Sequence, residues 1–278
     1  MAPSSQPPIQ LSVRNVSKSF RDKAGEVRVL EDLSFTINER DFVSIIGPSG
    51  CGKTTIFNII AGLLEPDSGT MLYRGEEIES LRGRVGYMMQ KDLLFPWRTV
   101  LQNVLLGLEM KGVAREIAEA RAHEYIKQFG LAGFENAYPK TLSGGMRQRV
   151  ALIRTLIMDP DILLLDEPFS ALDYQTRLYL EGVLKDAVET YNKTVILVTH
   201  DIDEAVALSK RVVVLSGRPA RVKTVHTIDI DARSPIAARS DSQFSGYFHA
   251  LCAELDIQTE KTPTAKTSPE KATAGTTP

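Results

Sequence analysis

The strongest constraint in this chain is an eight-residue stretch, Gly47-Pro48-Ser49-Gly50-Cys51-Gly52-Lys53-Thr54, set between the apolar run Phe42 to Ile46 and the apolar helical stretch Ile56 to Leu64. It fits the spacing Gly-x-x-x-x-Gly-Lys-Thr, and it falls at the strand-to-helix junction where that pattern carries meaning. Glycines there let backbone N–H groups converge on phosphate oxygens, and the helix N-terminus adds partial positive charge. Lys53 neutralises the terminal phosphates, while the Thr54 hydroxyl and its neighbour Thr55 lie where a Mg²⁺-nucleotide would bind. Cys51 sits in the same loop, so its thiol is either activated there and protected by nucleotide, or buried.

Other short β-branched or apolar runs, at Val85 to Met89, Ile162 to Leu165, Val195 to Val198 and Val212 to Leu215, alternate with helical patterns. This predicts an α/β fold with a mainly parallel sheet, because strands buried on both faces give continuous apolar runs. The stretch from about 91 to 158 differs: Ile117, Ala118, Ala122, Tyr125, Ile126 and Phe129 follow helical spacing with no strand run between. It reads as a helical subdomain inserted in the core. A further amphipathic segment, roughly Gln243 to Leu255, suggests a closing helix in an extension spanning 231–257. Residues 1–8 are Pro/Ser-rich and 258–278 lack large apolar side chains, so both ends are expected to be disordered tails.

Composition narrows the partners. The chain has 33 Lys and Arg against 35 Asp and Glu, a net charge of -2, which gives no basic field for gripping nucleic acid. No run approaches the ~18 apolar residues of a membrane span. The first residues lack the basic start and apolar stretch of a secretory signal, so a cytoplasmic location is expected. Two cysteines, Cys51 and Cys252, make no metal-binding spacing and suit free thiols.

Two more clusters carry chemistry. Asp161-Ile162-Leu163-Leu164-Leu165-Asp166-Glu167-Pro168 is a buried strand that emerges into two carboxylates. Asp166 suits Mg²⁺, directly or through water, and Glu167 suits polarising an attacking water. Leu142-Ser143-Gly144-Gly145-Met146-Arg147-Gln148-Arg149 opens a helix with Ser143 as N-cap, and the two glycines leave amides open to an anion. A guanine-reading Asn-Lys-x-Asp is approached only by Asn192-Lys193-Thr194-Val195, which lacks the Asp; ATP is favoured over GTP.

Taken together, these motifs make the chain resemble the ABC-type ATPases, a P-loop NTPase family. In order it holds the phosphate loop, Gln90, LSGGMRQR, LLLDEP, Ser170-Ala171-Leu172-Asp173 and Thr199-His200-Asp201, and the likeness covers roughly 9–230. Met146 stands where the family more often has Gln. The resemblance implies an antiparallel β portion beside the core sheet and head-to-tail pairing, with each ATP between one subunit's loop and the other's Ser143-Gly144-Gly145. A second copy or a homologous ATPase subunit is therefore expected. It further implies that Gln90 touches Mg²⁺ and the attacking water, that His200 contacts the γ-phosphate, that Asp173 crosses the dimer interface and that Phe20 stacks on adenine.

Within the family, Leu94-Phe95-Pro96-Trp97 and Leu215-Ser216-Gly217-Arg218-Pro219 look like ATP-binding subunits of nitrate/sulfonate/taurine-type importers. Leu93, Leu94, Phe95 and Trp97 would form an apolar groove for a permease helix, whereas Arg218-Pro219 reads as a turn without chemistry. The function expected is ATP hydrolysis driving solute uptake through an integral-membrane permease, fed indirectly by an extracytoplasmic solute-binding protein, at the cytoplasmic face of the inner membrane. The alternative is a soluble ABC-type ATPase of DNA repair or translation; long coiled-coil insertions, zinc-binding cysteines or tandem cassettes would favour it.

Overall fold

The computed structural model describes residues 7–22 and 25–257. The disorder expected of the two tails falls on residues outside these, except that Pro8 is tied in place, its carbonyl accepting from Glu39 N at 2.8 Å.

In chain order the strands are β1 (Ile9–Asp22), β2 (Gly25–Asn38), β3 (Phe42–Ile46), β4 (Ser68–Tyr73), β5 (Glu76–Ile78), β6 (Val85–Met88), β7 (Ile162–Asp166), β8 (Thr194–Val198), β9 (Arg211–Leu215) and β10 (Val222–Thr227). The helices are α1 (Lys53–Ile60), α2 (Val100–Met110), α3 (Arg115–Gln128), α4 (Gly144–Leu156), α5 (Tyr174–Thr190), α6 (Ile202–Leu208), α7 (Pro235–Arg239) and α8 (Phe244–Glu254). The strands form two sheets: a six-stranded one in the order β10-β9-β3-β8-β7-β6 and a four-stranded one in the order β2-β1-β4-β5. The first is parallel apart from the β9–β10 pair, and the second is antiparallel throughout.

Every residue of β3, β7 and β8 is buried, because the core sheet is covered on both faces. The two-residue period sorts these side chains. Leu163 and Leu165 of β7 join Val195 and Leu197 against α2, α3, α4 and α5. Ile162 and Leu164 join Ile196, Val198 and the α1 residues Ile56, Phe57, Ile59 and Ile60 under the antiparallel sheet. A third cluster packs α6 onto Phe244, Leu251 and Cys252 of α8.

The connection from β6 to α2 is held by one buried side chain. Asn103 Nδ2 donates to the carbonyls of Phe95, Arg98 and Thr99 at 3.2, 3.0 and 3.0 Å, and Phe95 N donates to Asn103 Oδ1 at 2.8 Å. An apolar replacement of equal size would remove the partner of Phe95 N and of the Arg98 carbonyl, whereas the carbonyls of Phe95 and Thr99 also accept from Arg98 N and Asn103 N. Two arginines of α4 complete the anchoring: Arg154 donates to the carbonyls of Asp92 and Leu93, and Arg147 Nε to Asp92 Oδ2 at 3.0 Å.

Candidate functional site

The loop between β3 and α1 wraps around its own lysine. Lys53 is buried, and its ammonium donates to the carbonyls of Gly47 and Pro48 at 2.8 and 3.1 Å. Gly52 has φ +130°, and a Cβ there would lie 2.8 Å from Leu30 Cδ2, so this residue must be glycine on both conformational and steric grounds. Cys51 lies beneath the loop; burial pushes its thiol up, against the pull of Lys53 and Arg218. The Cys51 thiol is thus free and buried.

Above the loop opens a cleft of about 640 Å³ between the two sheets. Phe20, Val27 and Val29 form its apolar wall; Ser49, Gly50, Gly52, Lys53, Thr54 and Thr55 form its floor; Gln90, Asp166 and Glu167 close the far end, with Arg218 beside the loop. Phe20 is 43% exposed, with the Lys18 ammonium 5.9 Å from the centroid of its ring. Gly47, Pro48 and Cys51 belong to the loop but lie off this surface.

The strand β7 delivers its carboxylates as expected of a buried strand reaching a sheet mouth. Asp166 is buried, its carboxyl raised above the usual range by burial, with a hydrogen bond from Thr54 opposing the rise and the neighbouring Glu167 adding to it. Thr54 Oγ1 donates to Asp166 Oδ2 at 3.0 Å. Glu167 adopts φ +50°, a left-handed conformation that turns its carboxylate out of the strand line. There it accepts from Gln90 Nε2 at 2.9 Å through one oxygen, while His200 Nδ1 lies 3.3 Å from the other. Gln90 and His200, far apart in the chain, thus meet on the two carboxylate oxygens of Glu167.

Ser143, Gly144, Gly145 and Asp173 lie off the cleft. Ser143 caps α4 by accepting from Met146 N at 3.2 Å, and Asp173 caps α5 by accepting from Thr176 N at 3.0 Å. Both side chains are exposed, and Gly145 packs so close to Leu172 that a Cβ would fall 2.7 Å from its Cδ2. The serine turn and the Asp173 turn therefore form one surface, separate from the cleft.

This geometry matches a known family. The model of the ABC transporter family matches residues 30–170. The chain belongs to the ABC transporter ATP-binding family. It is 44% identical over 248 residues to an uncharacterized ABC transporter ATP-binding protein of Bacillus subtilis, covering 88% of this chain and 95% of that protein. It is 45% identical over 215 residues to the aliphatic sulfonates import ATP-binding protein SsuB of Bacillus cereus, covering 77% of this chain and 84% of that protein. Among solved structures, an ATP-binding cassette in a dimeric post-hydrolysis state bound to ADP and Pi superposes with TM-score 0.72 at 33% identity, over 79% of this chain and 99% of that one. As a member of this family the chain is an ATP-binding protein and an ATPase.

Two features of the ABC site escaped the sequence reading. Val27 and Val29 line the cleft because β2 runs along it, and nothing in their pattern distinguishes them from core valines. Arg218, read as a plain turn residue, reaches the phosphate loop: its Nη2 donates to Gly50 O at 2.5 Å. The apolar groove also differs in detail. Leu94 is buried in the helical core, whereas Leu93 and Trp97 are 54% and 70% exposed. Beside them a groove of about 390 Å³ is lined by Leu63, Tyr87, Met89 and Leu93, with Gln90 and Asp166 reaching it from the cleft.

Proposed function

We propose that the chain is the ATP-hydrolysing subunit of an importer for small solutes of the nitrate, sulfonate or taurine kind, working as a head-to-tail pair. The observation that carries this is the division of the site: the cleft holds the phosphate loop and the Gln90–Glu167–His200 row, while Ser143, Gly144 and Gly145 lie on a separate exposed surface. A second copy, or a homologous subunit, turned to face the cleft would bring that turn onto the nucleotide and Asp173 across the interface. The solved relatives are described as dimers, and an aliphatic sulfonates importer is among the similar proteins, which supports both parts.

In the cleft, Phe20 would stack on adenine and the amides from Ser49 to Thr55 would take the phosphates, with Lys53 leaving its loop carbonyls for the terminal phosphate oxygens. The Thr54 hydroxyl and Asp166 carboxylate are hard oxygen donors 3.0 Å apart, and a buried carboxylate raised by desolvation is a fitting cation partner. These two, with Gln90, would hold Mg²⁺, which neutralises developing charge on the transferred phosphoryl group. Glu167, turned out of its strand, positions the attacking water and accepts its proton; His200 holds Glu167 in place and contacts the γ-phosphate.

Coupling to transport follows from the connections of Gln90. The same residue borders the nucleotide cleft and the apolar groove, and two residues on, Asp92 is held by Arg147 of α4, four residues after Ser143. A permease's cytoplasmic helix seated on Leu93 and Trp97 would then move with the nucleotide state. Among the described residues no helix is long and apolar enough to cross a membrane; in this reading the permease supplies the pathway, and the chain sits peripherally at the inner face of the membrane. An extracytoplasmic binding protein would act on the permease, not on this chain. The similar proteins that carry functional names are transport proteins, and no observation favours the repair or translation alternative.

The test is affinity purification of the chain from gently solubilised native membranes, with mass spectrometry and an ATPase assay on the eluate. Co-recovery of a multi-span permease is the expected result. Active ATPase recovered only from the soluble fraction, without a membrane protein, would overturn the importer reading.

A further inference from the structure

Among the described residues two cationic side chains line the nucleotide cleft, Lys53 and Arg218. The first belongs to the phosphate loop. The second comes from the segment 216–221 between β9 and β10, which is stitched to the opposite wall: Ala220 N donates to Val29 O at 2.8 Å and Glu31 N to Ala220 O at 3.0 Å. Ser216 N closes the segment on Arg221 O at 2.9 Å, and Arg221 pairs with Glu31 at 2.9 Å. This short segment therefore bridges the two sheets at the cleft, and from that fixed base Arg218 Nη2 donates to Gly50 O at 2.5 Å.

A loop that binds phosphate through its amides must turn its carbonyls elsewhere, because a carbonyl oxygen facing the anion repels it. Gly50, at φ +71°, is the exposed crest of that loop. The guanidinium engages its carbonyl and adds a positive charge at the rim of a cleft that must accept a polyphosphate. Lys53 holds the carbonyls of Gly47 and Pro48 and Arg218 that of Gly50, so the two cations together engage three carbonyls of one short loop.

We propose that Arg218 is a positioning residue for nucleotide binding: it fixes the Gly50 carbonyl so that the loop's amides stay turned toward the anion, and its charge favours polyphosphates over nucleotides with fewer phosphates. The proposal rests on the reading of this cleft as the ATP site. The neutral variant loses both contributions, while lysine keeps the charge and loses the planar fork.

The experiment measures affinities of ATP, ADP and AMP, together with KM and kcat, for the full chain and its Arg218→Ala, Arg218→Lys and Lys53→Ala variants. Arg218→Ala is expected to weaken ATP about tenfold, the scale of one hydrogen bond to a charged group, with a smaller loss for AMP. KM should rise while kcat at saturating ATP stays near the wild-type value, and Arg218→Lys should recover part of the loss. Melting without nucleotide checks the fold of each variant. An equal loss for all three nucleotides, or unchanged ATP affinity in Arg218→Ala while Lys53→Ala loses it, overturns the role of Arg218. Unchanged affinity in both variants overturns the reading of the cleft itself.

Discussion

The chain contains two glycine-rich turns at helix N-termini, and they are built to different degrees. The turn before α1 is finished: its lysine is buried on loop carbonyls, its Gly52 is pressed against Leu30 and Val29 of β2, and a cleft of about 640 Å³ stands over it. The turn before α4 is a capped helix end whose serine is exposed and lines no such cleft. A helix N-terminus alone attracts an anion weakly; in our reading the remaining affinity comes from the lysine, the apolar wall and the Thr54–Asp166 pair beside the first turn. In our reading the second turn acquires these from another subunit, so single-chain binding should depend on the first turn and turnover on both.

The largest effect should come from the row beside the finished turn. Glu167→Gln removes the base but keeps a side chain that can still hydrogen-bond to Gln90, so turnover should fall about a hundred- to ten-thousandfold while ATP affinity holds. Light scattering should then show a dimer that persists with ATP. A monomer under those conditions would break the comparison, because the exposed turn would have no partner to complete.

Lys53→Ala should weaken ATP binding about a hundredfold, the upper range for hydrogen bonds to charged groups, as read by titration of the isolated chain. Ser143→Asp is the matched change at the other turn. Aspartate caps a helix as well as serine does, so melting and single-chain ATP affinity should stay near wild type, yet a carboxylate aimed at phosphate should cut turnover about tenfold or more. Equal losses of affinity in both variants would mean that the two turns serve one chain's nucleotide after all.

The same contrast explains what the sequence makes legible. Buried strands announce themselves, since Ile162 to Leu165 and Val195 to Val198 must be apolar on both faces, and the loop after β3 needs residue types that few other turns share. The antiparallel sheet is harder: Ile9–Asp22 and Gly25–Asn38 mix exposed and buried positions, and register shifts interrupt the β1–β2 pairing, so no clean two-residue alternation survives. Arg218 is invisible for a different reason. Its importance depends on Ala220 pairing with β2 and on Gly50 lying within reach, and both are tertiary facts that a dipeptide in a turn does not encode.

The smallest effect expected lies just behind the finished site, where Thr199–His200–Asp201 runs into α6. Glu204 of that helix is buried; one carboxylate oxygen accepts from the Thr199 hydroxyl and the other has no partner. Burial, with the nearby Glu181 and Asp201 and against the Thr199 hydrogen bond and Arg177, pushes its carboxyl from an ordinary 4.5 up to about 8. Between those values the folded chain holds a proton that the unfolded chain releases, so stability is fully present below pH 4.5 and is lost as pH rises toward 8. Glu204→Gln carries a permanently neutral amide and should escape this loss. Its melting temperature relative to wild type should therefore climb by a few degrees from about pH 5 to about pH 8, then level off. Parallel melting curves for the two proteins across that range would mean that the His200 segment does not rest on a protonated Glu204.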